Sequence, residues 1–85
     1  MPRISMFFGI VVYMYYDDHH PPHFHALYEG SEAMFDFEGN IMKGFLPRGA
    51  LQLIKEWVKF HEEELKENWE RARKFMPLNW IEPLR

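Results

Sequence analysis

The sequence predicts an α+β fold: a four-stranded, mostly antiparallel sheet followed by a long or broken C-terminal helix and an extended tail. Two observations carry this reading. Gly30-Ser31 and Gly39-Asn40 are turn signals, and they separate three short runs in which apolar residues alternate. After Pro47 the apolar period changes from two to three and four.

Each element has its own justification. Residues 4–16 read as the first strand. Its even positions Ile4, Met6, Phe8, Ile10, Val12 and Met14 are all apolar, and its odd positions include Phe7, Val11, Tyr13 and Tyr15. A strand apolar on both faces is one covered on both sides. Residues 17–22 form a polar loop stiffened by Pro21-Pro22. Residues 23–28, 32–38 and 41–46 are the remaining strands. The run 32–38 alternates cleanly, with Ala33, Phe35 and Phe37 on one face and Glu32, Asp36 and Glu38 on the other.

The helix is expected over 47–74. Pro47 suits its first position, where a missing N–H costs nothing. Leu51, Ile54, Trp57, Val58, His61, Leu65, Trp69 and Ala72 then recur at helical spacing, and Arg71, Arg73 and Lys74 lie near the end, where they complement the helix dipole. Straight, such a helix would run about 42 Å. A compact chain of this size has a radius of gyration of only about 12 Å. The helix therefore bends, with Phe60-His61 the expected place, or projects into a partner. Pro77 ends it, and Trp80, Ile81 and Leu84 of the tail are expected to pack back on the sheet.

At 85 residues the chain makes one domain spanning 1–85. It is 47% hydrophobic and 18% aromatic, the composition of a folded chain with more large rings than one small monomer readily buries. A homodimer, or a protein partner over an apolar face, is the expected resolution. The absence of cysteine excludes disulfides, thiolate zinc sites and a cysteine nucleophile. Ten Lys and Arg against thirteen Asp and Glu give a net charge of −3, which disfavours nucleic acid as a partner. The apolar run after Arg3 is too short to span a bilayer and meets no small-residue cleavage site, so a cytoplasmic protein without membrane attachment is expected.

Four of the five histidines fall within Asp17-Asp18-His19-His20-Pro21-Pro22-His23-Phe24-His25. His23 and His25 are two apart on a strand, so they share a face, with Cα atoms about 6.6 Å apart. With His19 and a carboxylate from Asp18 or Asp17, they form a candidate set for a divalent metal: zinc, iron or manganese, with a position left open for water. Without metal, His23 and His25 beside Tyr13 or Tyr15 are candidates for proton shuttling, as in RNA cleavage by the substrate's own 2′-hydroxyl. Arg48 is a candidate anion anchor. The plain structural alternative has the imidazoles bonding the backbone of a tight loop. His61 reads as a core or interface residue satisfied by one hydrogen bond, Trp57 and Trp69 as core or dimer seam, and Glu62-Glu63-Glu64 as a solvated face.

Several segments together resemble a small prokaryotic family, domain-of-unknown-function family 4160. They are Pro2-Arg3-Ile4-Ser5-Met6-Phe7-Phe8-Gly9-Ile10-Val11-Val12-Tyr13-Met14-Tyr15, Asp18-His19-His20-Pro21-Pro22-His23-Phe24-His25-Ala26, Leu46-Pro47-Arg48, Glu56-Trp57, and Glu64-Leu65 to Asn68-Trp69. The resemblance covers nearly the whole chain, and Pro-Pro-His-Phe-His is its most specific part. His20 departs from the pattern, since relatives more often carry a small polar residue there. The resemblance implies a short, stand-alone protein, often encoded beside a member of another unknown-function family, numbered 2442, in what looks like a two-gene toxin–antitoxin-like module. The leading functional expectation is thus a partner-binding component of such a module, bound to a neighbouring gene's product and carrying a His-rich site. The alternative is a metal- or His-dependent enzyme acting on RNA or a small substrate.

Overall fold

The structure, a computed structural model, describes residues 2–85. Five strands form one sheet in the order β1-β2-β3-β4-β5, all neighbours antiparallel: β1 (Arg3–Phe7), β2 (Ile10–Tyr13), β3 (Phe24–Tyr28), β4 (Ser31–Phe35) and β5 (Ile41–Gly44). One helix, α1 (Arg48–Arg73), follows. The α+β expectation holds, with one strand more than the alternation suggested.

The extra strand comes from residues 4–16, which form a hairpin and not a single strand. Phe7 pairs with Ile10 across Phe8 and Gly9, whose φ angles are 50° and 79°. Positive φ at both central residues defines a type I′ turn, and Gly9 is the residue that enters that region at no steric cost. The uninterrupted apolar run on either side hid the turn. The next hairpin turns at Glu29 and Gly30, with Ser31 already in β4, one residue earlier than expected. The Gly39-Asn40 signal belongs to a longer loop, 36–40, and not to a two-residue turn. There the Asp36 carboxylate accepts the backbone N–H groups of Glu38 and Asn40, both at 2.9 Å, so β4 ends at Phe35.

Alternation decides where the core lies. Phe7, Ile10, Val12, Phe24, Ala26, Ala33 and Phe35 face the helix and are buried against Ile54, Trp57, Val58, Leu65, Trp69 and Ala72. The opposite face of the sheet carries a row in register: Tyr13 pairs with His25, His25 with Met34, and Met34 with Lys43. That face, away from the helix, holds the site described below.

The helix is kinked where its length required it. At 1.5 Å per residue, α1 would be about 39 Å long if straight, yet the molecule's longest extent is 33 Å. His61 takes φ −133° and ψ 20°, outside helical values, and the two halves change direction there. Pro47 is the residue just before the helix, not its first. The helix ends in a Schellman motif. Phe75, at φ 57°, donates its N–H to the Ala72 carbonyl, and Met76 donates to the Arg71 carbonyl at 2.8 Å.

The tail is fastened by polar contacts as much as by packing. Buried Asn68 donates to the Asn79 carbonyl at 2.9 Å and accepts the Asn79 N–H at 2.8 Å, closing a two-point clamp. Ile81, fully buried, donates its N–H to the Ile4 carbonyl at 2.7 Å. Leu84 packs at the core's margin, whereas Trp80, expected to pack with them, is 56% exposed.

Gly44 makes the fold's tightest backbone approach. Its φ is 86°, and a Cβ there would collide with the Glu32 carbonyl oxygen and lie 2.9 Å from the Ala33 Cα. Gly44→Ala is expected to cost about 2–4 kcal/mol from strain and overpacking together. Gly49→Ala, in the first helical turn with nothing within 4 Å of the added carbon, is expected to be neutral or to stabilise by up to about 1 kcal/mol. Urea denaturation of the two variants side by side checks the contrast.

Candidate metal centre and cleft

The site begins with how the loop after β2 is held. Asp17, at φ 49°, donates its N–H to the Ala72 carbonyl at 3.2 Å, tying the loop to the last turn of α1. Tyr16 stacks on Phe75 with ring centroids 6.3 Å apart, a second tie between the same two segments. The chain then passes through Pro21 and Pro22, with the His20–Pro21 peptide bond cis, and enters β3 at Phe24. Because Phe24 points into the core, His23 and His25 on either side of it point away from the sheet's core face.

Three of the expected ligands converge. One ligand atom from each of Asp18, His23 and His25 lies within 4.8 Å of the other two. The Asp18 Oδ2 is 2.9 Å from His23 Nε2 and 3.4 Å from His25 Nε2. His23 is buried, and both His25 and Asp18 are partly buried. His19 does not join them: it is exposed, and only its backbone N–H bonds Asp18, at Oδ1 and 2.8 Å. Its ring lines the cleft beside the cluster but supplies no ligand atom to it.

The protonation of His23 follows from its partners. Its Nδ1 lies 2.8 Å from the Pro21 carbonyl oxygen, which can only accept, so Nδ1 carries the proton. Nε2 then faces the Asp18 carboxylate, also an acceptor. Two acceptors at 2.9 Å require something positive between them, either a second proton or a metal cation.

Aromatic rings hold the imidazoles in place. Tyr13 stacks on His25 at 5.1 Å and 13°, and Tyr15 meets the same ring edge-on at 4.9 Å. Trp69 packs against His23 at 5.3 Å and against His20 at 5.6 Å. Tyr13 was an expected proton-transfer partner, but its hydroxyl is buried and, among the described residues, has no hydrogen-bond partner. Tyr13 therefore acts on His25 through its ring face. His61 is apart from the site: its Nδ1 donates to Glu64 Oε1 at 2.6 Å and its ring rests on Trp57. Arg48 is exposed and does not line the cleft.

The cluster opens into a cleft of about 330 Å³ bounded by Tyr15, the loop histidines, Met34 and Lys43. An adjoining recess of about 280 Å³ shares His25, Met34 and Lys43 and ends at Glu32. Met34, Lys43 and Trp69 were not anticipated as part of a site. Met34 and Lys43 come from strands distant in sequence and reach His25 only through the register of the sheet.

Electrostatics here pull Asp18 and His25 downward. Burial by itself would raise the Asp18 carboxyl, but the His19 backbone N–H and the rings of His25 and His23 outweigh it and hold the group below its ordinary 3.8. Burial is the largest influence on His25 and lowers it; the bond to Asp18 opposes this and the charge of His23 adds to it, leaving His25 below its ordinary 6.5. In the window between 6.5 and the lowered folded value, the unfolded chain binds the proton and the folded chain does not. Stability is therefore complete above 6.5 and falls as the pH drops through that window. In chelator-treated protein, the melting temperature of the wild type should fall between pH 7 and pH 5 more steeply than that of His25→Gln. Parallel curves would show that His25 makes no such contribution.

Residues 9–70 match a family described as Domain of unknown function (DUF4160), somewhat less of the chain than the segments quoted above suggest. No curated protein and no solved structure matches the chain. No helix is long and apolar enough to cross a membrane among the described residues.

Proposed function

The chain belongs to the DUF4160 family, and from that premise we propose that it is a metal-centred enzyme, with a divalent transition-metal ion held by Asp18, His23 and His25. The observation that carries the proposal is the acceptor-to-acceptor contact of His23 Nε2 with Asp18 Oδ2, imposed by the bond from His23 Nδ1–H to the Pro21 carbonyl. Such a bond from the far ring nitrogen to a backbone carbonyl is the usual way a metal-bound histidine is oriented. The spacing agrees. Ligand bonds of about 2.1 Å put neighbouring ligand atoms about 3.0 Å apart in octahedral and about 3.4 Å apart in tetrahedral geometry. The two observed edges from Asp18 are 2.9 and 3.4 Å.

Two imidazoles and one carboxylate leave coordination positions open toward the cleft. A water bound there loses its proton near neutral pH, which supports hydrolysis. The sequence favoured partner binding over catalysis; we place catalysis first because the three candidate ligands converge. Zinc added to chelator-stripped protein at a hundredfold excess over Kd is expected to stabilise by about 2.7 kcal/mol, a rise in Tm of roughly 10–20 °C for a chain of this size. Asp18→Asn and His25→Ala should abolish the rise. A wild-type melt indifferent to zinc and manganese would leave an imidazolium–carboxylate pair and remove the metal reading.

Partner binding is supported by a separate observation. Phe8, Phe45, Phe60 and Phe75 are each more than 60% exposed, four large apolar side chains left uncovered on a small chain. On this reading the protein also pairs with the product of a neighbouring gene in a toxin–antitoxin-like module. Co-expression should give a complex that co-elutes on size exclusion, and Phe45→Ser with Phe60→Ser should weaken it. Separate elution at micromolar concentration would exclude the pairing.

A further inference from the structure

The cleft beside the Asp18–His23–His25 cluster lacks the acidic excess of the whole chain. The protein carries −3 overall. Its cleft is lined by four imidazoles and Lys43 against the single carboxylate of Asp18. Lys43 is placed there by register: it pairs with Met34, and Met34 with His25, so the three side chains share one face of the sheet. Two interstrand steps put the Cα of Lys43 about 10 Å from that of His25, with the Met34 side chain between them lining the cleft. Lys43 lines both the cleft and its adjoining recess. Among the described residues the lysine ion pairs are those of Lys66 with Glu62 and Glu63, so Lys43 has no acidic partner of its own. Glu32 lines the same recess as Lys43 and limits its positive charge without forming an ion pair with it.

Resting on the metal reading above, we infer that the cleft takes a small phosphate ester, one phosphoryl oxygen on the metal and another on the Lys43 ammonium. Lysine acts on phosphate as a point charge, which suits an anion already oriented by a metal. The volume of about 330 Å³ is at the small end for a ligand site and fits a compact ester better than a strand. The net charge of −3 also opposes a long polyanion. Tyr15, 39% exposed and edge-on to His25, gives the mouth an aromatic wall for the ester group. The reaction balances with water alone. The hydroxide of water bonds to phosphorus, the ester P–O bond breaks, and the remaining hydrogen of that water reaches the leaving oxygen by way of exposed His19, giving an alcohol and inorganic phosphate.

The test uses full-length protein loaded with manganese, inorganic phosphate as probe, and 31P line broadening with calorimetry as readouts. Phosphate should broaden by coordination to the loaded protein, and Lys43→Gln should weaken its binding about tenfold while leaving manganese affinity and the melting curve unchanged. Failure of the wild type to load either manganese or zinc overturns the metal reading, and this inference with it; if zinc alone loads, calorimetry of phosphate on the zinc-loaded protein is the readout. Normal loading with phosphate binding indifferent to Lys43→Gln overturns this inference alone. Acetate binding as tightly as phosphate with the same Lys43 dependence overturns the assignment to phosphate. A single-stranded RNA oligomer binding far more tightly than phosphate, with steep salt dependence, overturns the assignment to a small ester.

Discussion

The buried side chain of Trp57 is the contact on which the arrangement of this small protein depends. It is fully buried, 5.4 Å from the Phe7 ring of β1 and 5.9 Å from the Phe24 ring of β3. Its Nε1–H donates to the Glu82 carbonyl in the tail at 2.9 Å, and its ring supports His61 at the helix kink. One residue thus joins the sheet, both halves of the helix and the C-terminal segment. Burying a ring of that size supplies apolar area that an 85-residue chain has few other ways to obtain. The paired indole N–H avoids the cost of an unsatisfied buried donor.

From that anchor the geometry of the site follows. Phe24 is fixed inward against Trp57, so the alternation of β3 turns His23 and His25 outward. The kink at His61 redirects the second half of α1 across the end of the sheet. There Trp69 backs His23 and His20, and the Ala72 carbonyl receives the Asp17 N–H. A straight helix would carry both away from the loop. The bend therefore does more than compact the chain: it sets Trp69 against His23 and ties down the loop that leads into Asp18.

The outward face of the sheet completes the picture. A four-residue row from Tyr13 to Lys43 crosses β2 to β5, passing from an aromatic support through an imidazole and a thioether to a lysine. In an antiparallel sheet with one face on the core, the other face usually meets solvent with scattered polar residues. Here it is graded from buried to exposed, with Tyr13 at 0% and Lys43 exposed.

What the sequence determined by itself was local. Alternation and turn residues indicated the strands from Phe24 onward; the three-and-four spacing indicated the helix; helix length against chain size left a bend near His61 or a projection as the alternatives; the clustering of histidines marked the loop that carries the candidate site. Each depends on residues within a few positions of one another. The first hairpin was lost because Gly9 lies inside a run apolar on both sides, where periodicity cannot distinguish one long strand from two short ones. The tertiary structure decided which histidines converge, since the path of the loop leaves the His19 ring lining the cleft outside the ligand set while it brings Asp18 to His23 and His25. It also decided that Asn68 clamps the tail, that Trp69 backs the site and that Lys43 faces His25. Those pairings span sequence separations over which no local pattern persists, and only the register of the sheet and the packing of the helix upon it bring such residues within reach of one another.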